Sequence, residues 1–287
     1  MTITTDWPSA YFKIREHLAG GGELFFEIGT GNGEFFLWVA LTGNYLCVGS
    51  DIKKKRVSKL IGKIKNAGGE GVVLLGDGKR VLRDVFPHAS ISKIVINYPD
   101  PWPRKGQYWR RISYSYFIRL ISDRLKTGGV VHLSTDYYPI FYEFSDSLRK
   151  MGIFRPLPAK PQANLFRGVF TRYETQWVEE GRNLFQWSFL KKEDYIDDGL
   201  VWEYAEFRPV KSKPLSDGYF REVDGWIVKV VYDRGDEVRL LIVEKESKIS
   251  YNLAFRREKN VLFLVSSKEV VCSEKLQKII EEFFNHV

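Results

Sequence analysis

Short apolar runs and longer amphipathic segments alternate along the first two thirds of the chain. In "ELFFEIGTGNGEFFLWVAL" residues 24–28 form an apolar run, a glycine turn follows, and a helix is predicted from about Gly33. "NYLCVGSD" predicts a second strand. "IKKKRVSKLIGKIKNAG" is helical, because Val57, Leu60, Ile61 and Ile64 fall on one face, and "NAGG" supplies its stop. "GVVLLGD" and "ISKIVINYP" predict third and fourth strands. "RRISYSYFIRLISDRLKTGG" predicts a helix ending in glycines, with Ile112, Tyr116, Leu120 and Ile121 at core spacing. "VVHLSTD" is a fifth strand and "YPIFYEFSDSLRKMG" a helix. "GVFTRYETQWVEEGRNLFQWSFLKK" has the pattern of strand, short connection, strand, which would finish the sheet antiparallel. Strands that are nearly all apolar need cover on both faces, which implies a mostly parallel sheet between layers of helices. With right-handed crossovers this is a doubly wound, Rossmann-like α/β fold.

The pattern changes after "KSKPLSDG", a linker around residues 211–215. "WIVKVVYD", "EVRLLIVE", "ISYNLAFRR" and "NVLFLVSS" follow one another with only "RGD", "KESK" and "EK" between them. "SEKLQKIIEEFFNHV" then carries a Leu276, Ile279, Ile280, Phe283 stripe. The expected organisation is an α/β domain over residues 1–210 and a small antiparallel α+β domain over residues 211–287.

Composition adds limits. The 287 residues suffice for a sizeable core. No apolar run reaches membrane-spanning length, and "MTITTDWPSAYFKIREHL" has no signal-peptide core, so no membrane partner and a cytoplasmic location are expected. Cys47 and Cys272 lie far apart in apolar stretches, as free buried thiols do in a reducing compartment. The four histidines are scattered and suggest no metal site. The net charge is +8, and +7 of it falls in the first 210 residues, which favours a polyanionic partner for that part.

Candidate chemistry sits at strand ends. "EIGTGNG" puts Gly29, Gly31 and Gly33 between a strand and a helix, where the backbone turns sharply and a ligand can approach. Asp51 ends the second strand, 24 residues after Glu27, where an acid can take a ribose diol. Asp77 ends the third strand, within reach of an adenine edge. The plainer alternative for such acids is helix capping. Glu27, just before the first glycine, would repel a pyrophosphate and suits the cationic methionyl end of S-adenosylmethionine.

In "INYPDPWPRK" Pro99, Pro101 and Pro103 alternate with Asp100 and Trp102. Each proline fixes φ and disfavours helix before it, so the chain leaves the fourth strand stiff and extended, presenting an acid and an exposed indole. Arg104, Lys105, Arg110 and Arg111 follow, interleaved with Gln107, Tyr108 and Trp109, a pattern that suits a nucleic-acid strand. Lys53, Lys54, Lys55 and Arg56 open a second basic segment, for which a solvated helix face is the plainer reading.

Together "EIGTGNG", "GSD", "PDPWPRKGQYWRR", "STD" and "TRYE", in this order, resemble the bacterial tRNA (guanine-N7)-methyltransferase family over roughly residues 20–190. The resemblance implies transfer of a methyl group from S-adenosylmethionine to guanine 46 in the variable loop of tRNA. It implies that Glu27, Asp51, Asp77 and Asn97, with Gly29, Gly31 and Gly33, hold the cofactor. It implies that Asp100 is catalytic and that Arg104, Lys105, Asp136, Thr171 and Glu174 bind the substrate. The family's usual lysine falls on Arg104 or Lys105, a frequent histidine is replaced by Gln107 and Tyr108, and Tyr137–Tyr138 departs from the usual residues after "STD". The C-terminal domain is outside the family's common core, and a monomer or a homodimer fits equally. The alternatives are an amino-methyltransferase of DNA or RNA, whose Pro-Pro hallmark is missing, a catalytically silent RNA-binding subunit, and a nicotinamide oxidoreductase, whose cofactor also carries ribose and adenine but whose pyrophosphate Glu27 would repel.

Overall fold

In the computed structural model residues 3–164, 168, 169, 171–265 and 269–286 are described, and the chain divides into two units, Met1–Val201 and Trp202–Val287. The first unit runs β1 (Ile3–Thr4), α1 (Trp7–Ala19), β2 (Glu23–Ile28), α2 (Glu34–Thr42), β3 (Tyr45–Asp51), α3 (Lys54–Asn66), β4 (Gly71–Leu75), α4 (Gly78–Asp84), β5 (Ile91–Asn97), α5 (Ser115–Arg124), β6 (Leu125–Thr135), α6 (Tyr138–Lys150), β7 (Phe154–Ala163), α7 (Arg172–Glu179) and β8 (Phe185–Lys191).

These strands form one sheet in the order β1-β4-β3-β2-β5-β6-β8-β7. The pairs from β1 to β6 are parallel; β8 lies antiparallel to β6, and β7 antiparallel to β8. The central strands are apolar throughout because both faces are covered: Leu24, Phe25, Phe26, Val72, Val73, Leu74, Ile94 and Val95 are all fully buried. Strand order reverses between β2 and β5, so the helices that follow these strands diverge there and leave a crevice at the carboxyl ends.

Several local expectations change. β1 and α1 were not anticipated, although the helix start is written in "DWPSA": Asp6 caps α1 by accepting from Ser9 N at 2.9 Å, with Pro8 in the first turn. The short α4, capped by Asp77, was also missed. α5 begins at Ser115, leaving buried Ile112 in the turn before it, and ends at Arg124, because Leu125 already pairs with Ile91 at the start of β6. Of the segment expected as strand, connection and strand, residues 172–179 form α7 instead, and Phe170 lies outside the described residues. The strand that borders β8 is β7, hidden in the sequence by Pro156, Pro158 and Pro161, which an edge strand tolerates.

The second unit is a six-stranded antiparallel sheet with one helix. Its elements are β9 (Val210–Lys211), β10 (Phe220–Val223), β11 (Trp226–Arg234), β12 (Glu237–Glu244), β13 (Ser250–Glu258), β14 (Val261–Leu264) and α8 (Glu274–Asn285), with strand order β10-β11-β12-β13-β14-β9. The last two residues of "NVLFLVSS" are outside the described residues. Alternation along β11 to β13 buries one face, which includes Val228, Leu240, Ile242, Leu253 and Phe255, while α8 buries Leu276, Ile279, Ile280 and Phe283. This unit begins before the "KSKPLSDG" linker because Trp202 stacks on Tyr251 at 5.5 Å and Phe207 meets Phe255.

By these bounds the first unit holds 29 Lys+Arg against 21 Asp+Glu, which accounts for the whole +8, and the second holds 15 against 15. Cys47 is buried and Cys272 half-buried, neither in a disulfide. Among the described residues no helix is long and apolar enough to cross a membrane.

Candidate functional site

The glycine turn after β2 is fixed from the neighbouring strand. The N–H groups of Gly29 and Thr30 both donate to Ser50 O, at 2.8 and 3.0 Å. Gly29 and Gly31 have φ of +76° and +57°, which glycine adopts without strain, and a Cβ on either would meet nothing within 4 Å. The turn therefore faces open space. Gly33 differs: a Cβ there would stand 2.4 Å from Leu60 Cδ1, so its absence permits α2 to pack on α3.

The space before Gly29, though not that before Gly31, belongs to a cavity of about 390 Å³ at the carboxyl ends of β2, β3, β4 and β5. Its lining includes Gly29, Asp51, Asp77, Asn97, Asp100 and Trp102. Asp51, at the end of β3, accepts from Lys53 N at 2.8 Å and from Gly31 N at 3.1 Å, and Arg56 Nη1 lies 3.5 Å from the same oxygen. Asp77 caps α4 by accepting from Lys79 N at 2.8 Å. Capping thus describes Asp77, whereas Asp51 stands two residues before the cap of α3, Lys53, and braces the glycine turn. Glu27 is buried below the turn and is not itself a lining residue; its carboxylate accepts from the Asn97 amide at 2.8 Å, joining β2 to β5 where the strand order reverses.

The proline arm begins at Tyr98. Tyr98 and Trp102 both have left-handed φ, +52° and +43°, conformations that a non-glycine residue keeps only when its surroundings impose them. Here Tyr98 N donates to Ser134 O at 2.7 Å, and its hydroxyl donates to Glu174 at 2.9 Å. Trp102 O accepts from Arg111 Nε at 3.1 Å, and Arg111 Nη1 donates to both carboxylate oxygens of Glu143 of α6, at 2.6 and 2.9 Å. The Trp102 indole is half-buried with the Arg110 guanidinium 4.6 Å from its ring centre, so the exposed indole expected from the sequence is corrected: Arg110 partners it.

Residues Lys105–Arg110 form a 3-10 turn. Arg104 and Lys105 are exposed, outside the cavity lining and in no ion pair among the described residues, while Trp109 and Arg110 line the cavity. Lys79 anchors the turn by donating to Trp109 O at 2.8 Å. Burial pushes its ammonium pKa down, an effect that Asp77 opposes and Arg110 adds to.

Asp136, just past β6, pairs with Arg182 at 3.3 Å. Thr171 and Glu174 make a capping box at the start of α7: Glu174 accepts from Thr171 N at 2.7 Å, and Thr171 Oγ1 accepts from Glu174 N at 3.3 Å. None of the three lines the cavity, but buried Glu174 is joined to it through Tyr98.

Sequence reasoning overlooked Ser50, Tyr98, Lys79 and the pair Tyr173 and Trp177. Ser50 is fully buried on the cavity wall, and its Oγ has no hydrogen-bond partner among the described residues. A buried hydroxyl is costly in that state unless a water or a bound polar group satisfies it. Carboxylates at two strand ends, an open glycine turn and this hydroxyl suit an adenosyl ligand with a ribose diol and a cationic tail.

Comparison with known proteins gives the following. A sequence model of the family described as "Putative methyltransferase" matches residues 22–187. The tRNA (guanine-N(7)-)-methyltransferase of Ruegeria pomeroyi is 32% identical over 168 residues, covering 58% of this chain and 71% of that protein. The enzyme of the same name from Thermus thermophilus is 30% identical over 188 residues, and the match spans 64% of this chain but only 58% of the relative. A third, from Thermotoga maritima, is 29% identical over 264 residues, covering 83% of this chain and 80% of the relative. That last match is longer than the first unit and therefore reaches into the second.

Proposed function

The chain belongs to the tRNA (guanine-N7)-methyltransferase family, and we propose that it methylates N7 of a guanine in tRNA, at position 46 of the variable loop, in the cytoplasm and as a monomer or homodimer. The observation that carries this reading is that one cavity is lined by both Asp51 and Asp77, at the ends of β3 and β4, and by Asp100 and Trp102, on the arm after β5.

The residues fit S-adenosylmethionine, which supplies an electrophilic methyl group on a sulfonium. Asp51 would accept from the ribose diol, Asp77 and Ser50 would serve the adenosyl part, and the Glu27–Asn97 pair would serve the cationic end. Guanine N7 carries a free lone pair, so no general base is required and the demand on the protein is alignment. The stiff arm meets it by holding Asp100 where its carboxylate offsets the positive charge that develops on the base. Trp102 supplies an aromatic face beside it. Asp136 lies off the cavity lining and is paired with Arg182; on exchanging that partner it would accept from the guanine N1–H and amino group, a match that adenine lacks. Glu174 acts one step back, by fixing Tyr98. Arg104 and Lys105, exposed at the start of the 3-10 turn, face solvent and suit phosphate contacts.

The test is incubation with unmodified tRNA and methyl-labelled cofactor, followed by aniline cleavage, which cuts at 7-methylguanosine. Cleavage at guanine 46 is expected. Label on an exocyclic amine would overturn the reading in favour of an amino-methyltransferase, and no binding of S-adenosylhomocysteine would favour a silent RNA-binding subunit.

A further inference from the structure

The helix α7 presents two aromatic rings that the catalytic reading does not use. Tyr173 and Trp177 are one helical turn apart and stack with centroids 5.3 Å apart and planes 24° from parallel. Tyr173 is 40% exposed, on the side of the helix where residues four apart are neighbours. Trp177 meets the edge of Tyr98 at 4.8 Å, and Tyr98 lines the cavity two residues before Asp100. The stack is therefore in van der Waals contact with the cavity wall.

Cations stand at both ends of it. Arg56, from α3, donates to the Tyr173 hydroxyl at 3.1 Å and itself lines the cavity. Arg182 lies 5.8 Å from the Trp177 ring centre. Lys53, Lys54 and Lys55 are exposed beside Arg56, in the unit that carries all of the net positive charge. Aromatic faces flanked by arginines fit a single nucleic-acid strand: a base stacks on the ring, and the phosphates on either side meet the cations.

We propose that Tyr173, backed by Trp177 and held by Arg56, is a stacking platform for one unpaired nucleotide of the RNA, the immediate neighbour of the guanine that enters the cavity. This rests on the proposed guanine-N7 activity and extends it: the enzyme reads a short unpaired stretch rather than a lone base. Arg56 is a positioning residue here, fixing the Tyr173 ring through its hydroxyl while its other arm rests against Asp51.

A stacked pair could also serve only to stabilise a short helix, and a cycle between protein and RNA variants separates the two. Equilibrium tRNA binding is measured with saturating S-adenosylhomocysteine, for wild type, Tyr173→Ala and Tyr173→Phe. The RNAs are intact tRNA and tRNAs with an abasic nucleotide on the 5′ or the 3′ side of the target guanine. Tyr173→Ala should weaken binding of intact tRNA by about 10-fold, and Tyr173→Phe, which keeps the ring, should recover most of that loss. One of the two abasic RNAs should weaken wild-type binding by a similar factor and weaken Tyr173→Ala no further. Losses that multiply for both abasic RNAs, or Tyr173→Ala binding like wild type, overturn the platform. S-adenosylhomocysteine calorimetry on each variant checks that it is folded. If wild-type protein leaves guanine N7 of the intact tRNA unmodified, the parent reading falls, an outcome visible without any variant.

Discussion

Asp51 Oδ2 accepts the N–H of Gly31 at 3.1 Å, so one carboxylate both ends β3 and holds the open glycine turn in shape. Asp51→Ala removes this brace together with the acceptor for Lys53 N–H. Binding of S-adenosylhomocysteine, followed by calorimetry, should weaken by about 10-fold or more, given about 1.5–3 kcal/mol for hydrogen bonds to a charged group. An affinity within experimental error of wild type would remove Asp51 from the cofactor site.

Asp100 is exposed on the arm and has a different expected signature. Asp100→Asn keeps the shape and loses the charge. Single-turnover methyl transfer should slow by about 10²–10³-fold, the scale for one missing electrostatic group, while S-adenosylhomocysteine affinity stays as in wild type. A parallel drop in cofactor affinity would argue that Asp100 shapes the cavity instead of serving the reaction.

The arm has one strong tether to α6. Arg111 grips Glu143 with two hydrogen bonds and holds Trp102 O with a third N–H. Lysine cannot reproduce this planar fork. Arg111→Lys should therefore lower kcat/KM for tRNA by about 10-fold or more through misplacement of the arm, and Glu143→Gln should lower it less. Steady-state kinetics with varied tRNA checks both; equal losses in the two variants, or none, would contradict the tether.

The thiol of Cys47 is pushed up to about 12, by burial first and by the nearby charge of Glu27 second. A folded pKa above the ordinary value of 9.0 means that the folded state keeps a proton that the unfolded chain gives up. The associated stability is whole below about pH 9 and is lost as pH rises toward 12. Denaturant midpoints should accordingly fall across that window, and Cys47→Ser should reduce the fall. At pH 8 a thiol reagent should leave Cys47 unmodified until denaturant is added.

The parallel core was legible because burial on both faces leaves an unmistakable apolar run in β2, β3, β4 and β5. Asp51, Asp77 and Asp100 were legible because strand ends in such a sheet converge on one crevice. Other features obey rules that point two ways. "TRYE" is at once a family motif and a capping box, and only the fold shows Glu174 turned inward to Thr171 and Tyr98. Three prolines argue against a strand unless its edge position is known, so β7 was hidden. Arg104 caps the 3-10 turn and Lys105 and Arg110 lie in it; its three-residue period is not that of an α-helix or a strand, and the three look alike until Arg110 is found on Trp102.

The borders of the large sheet have a bearing on assembly. On one side it ends in β1, two residues long, and on the other in β7, where Pro156, Pro158 and Pro161 have no N–H to offer. Among the described residues, the prolines of β7 interrupt the row of donors that another chain would need in order to add a strand there. The β7 border is in this way guarded against edge-to-edge aggregation.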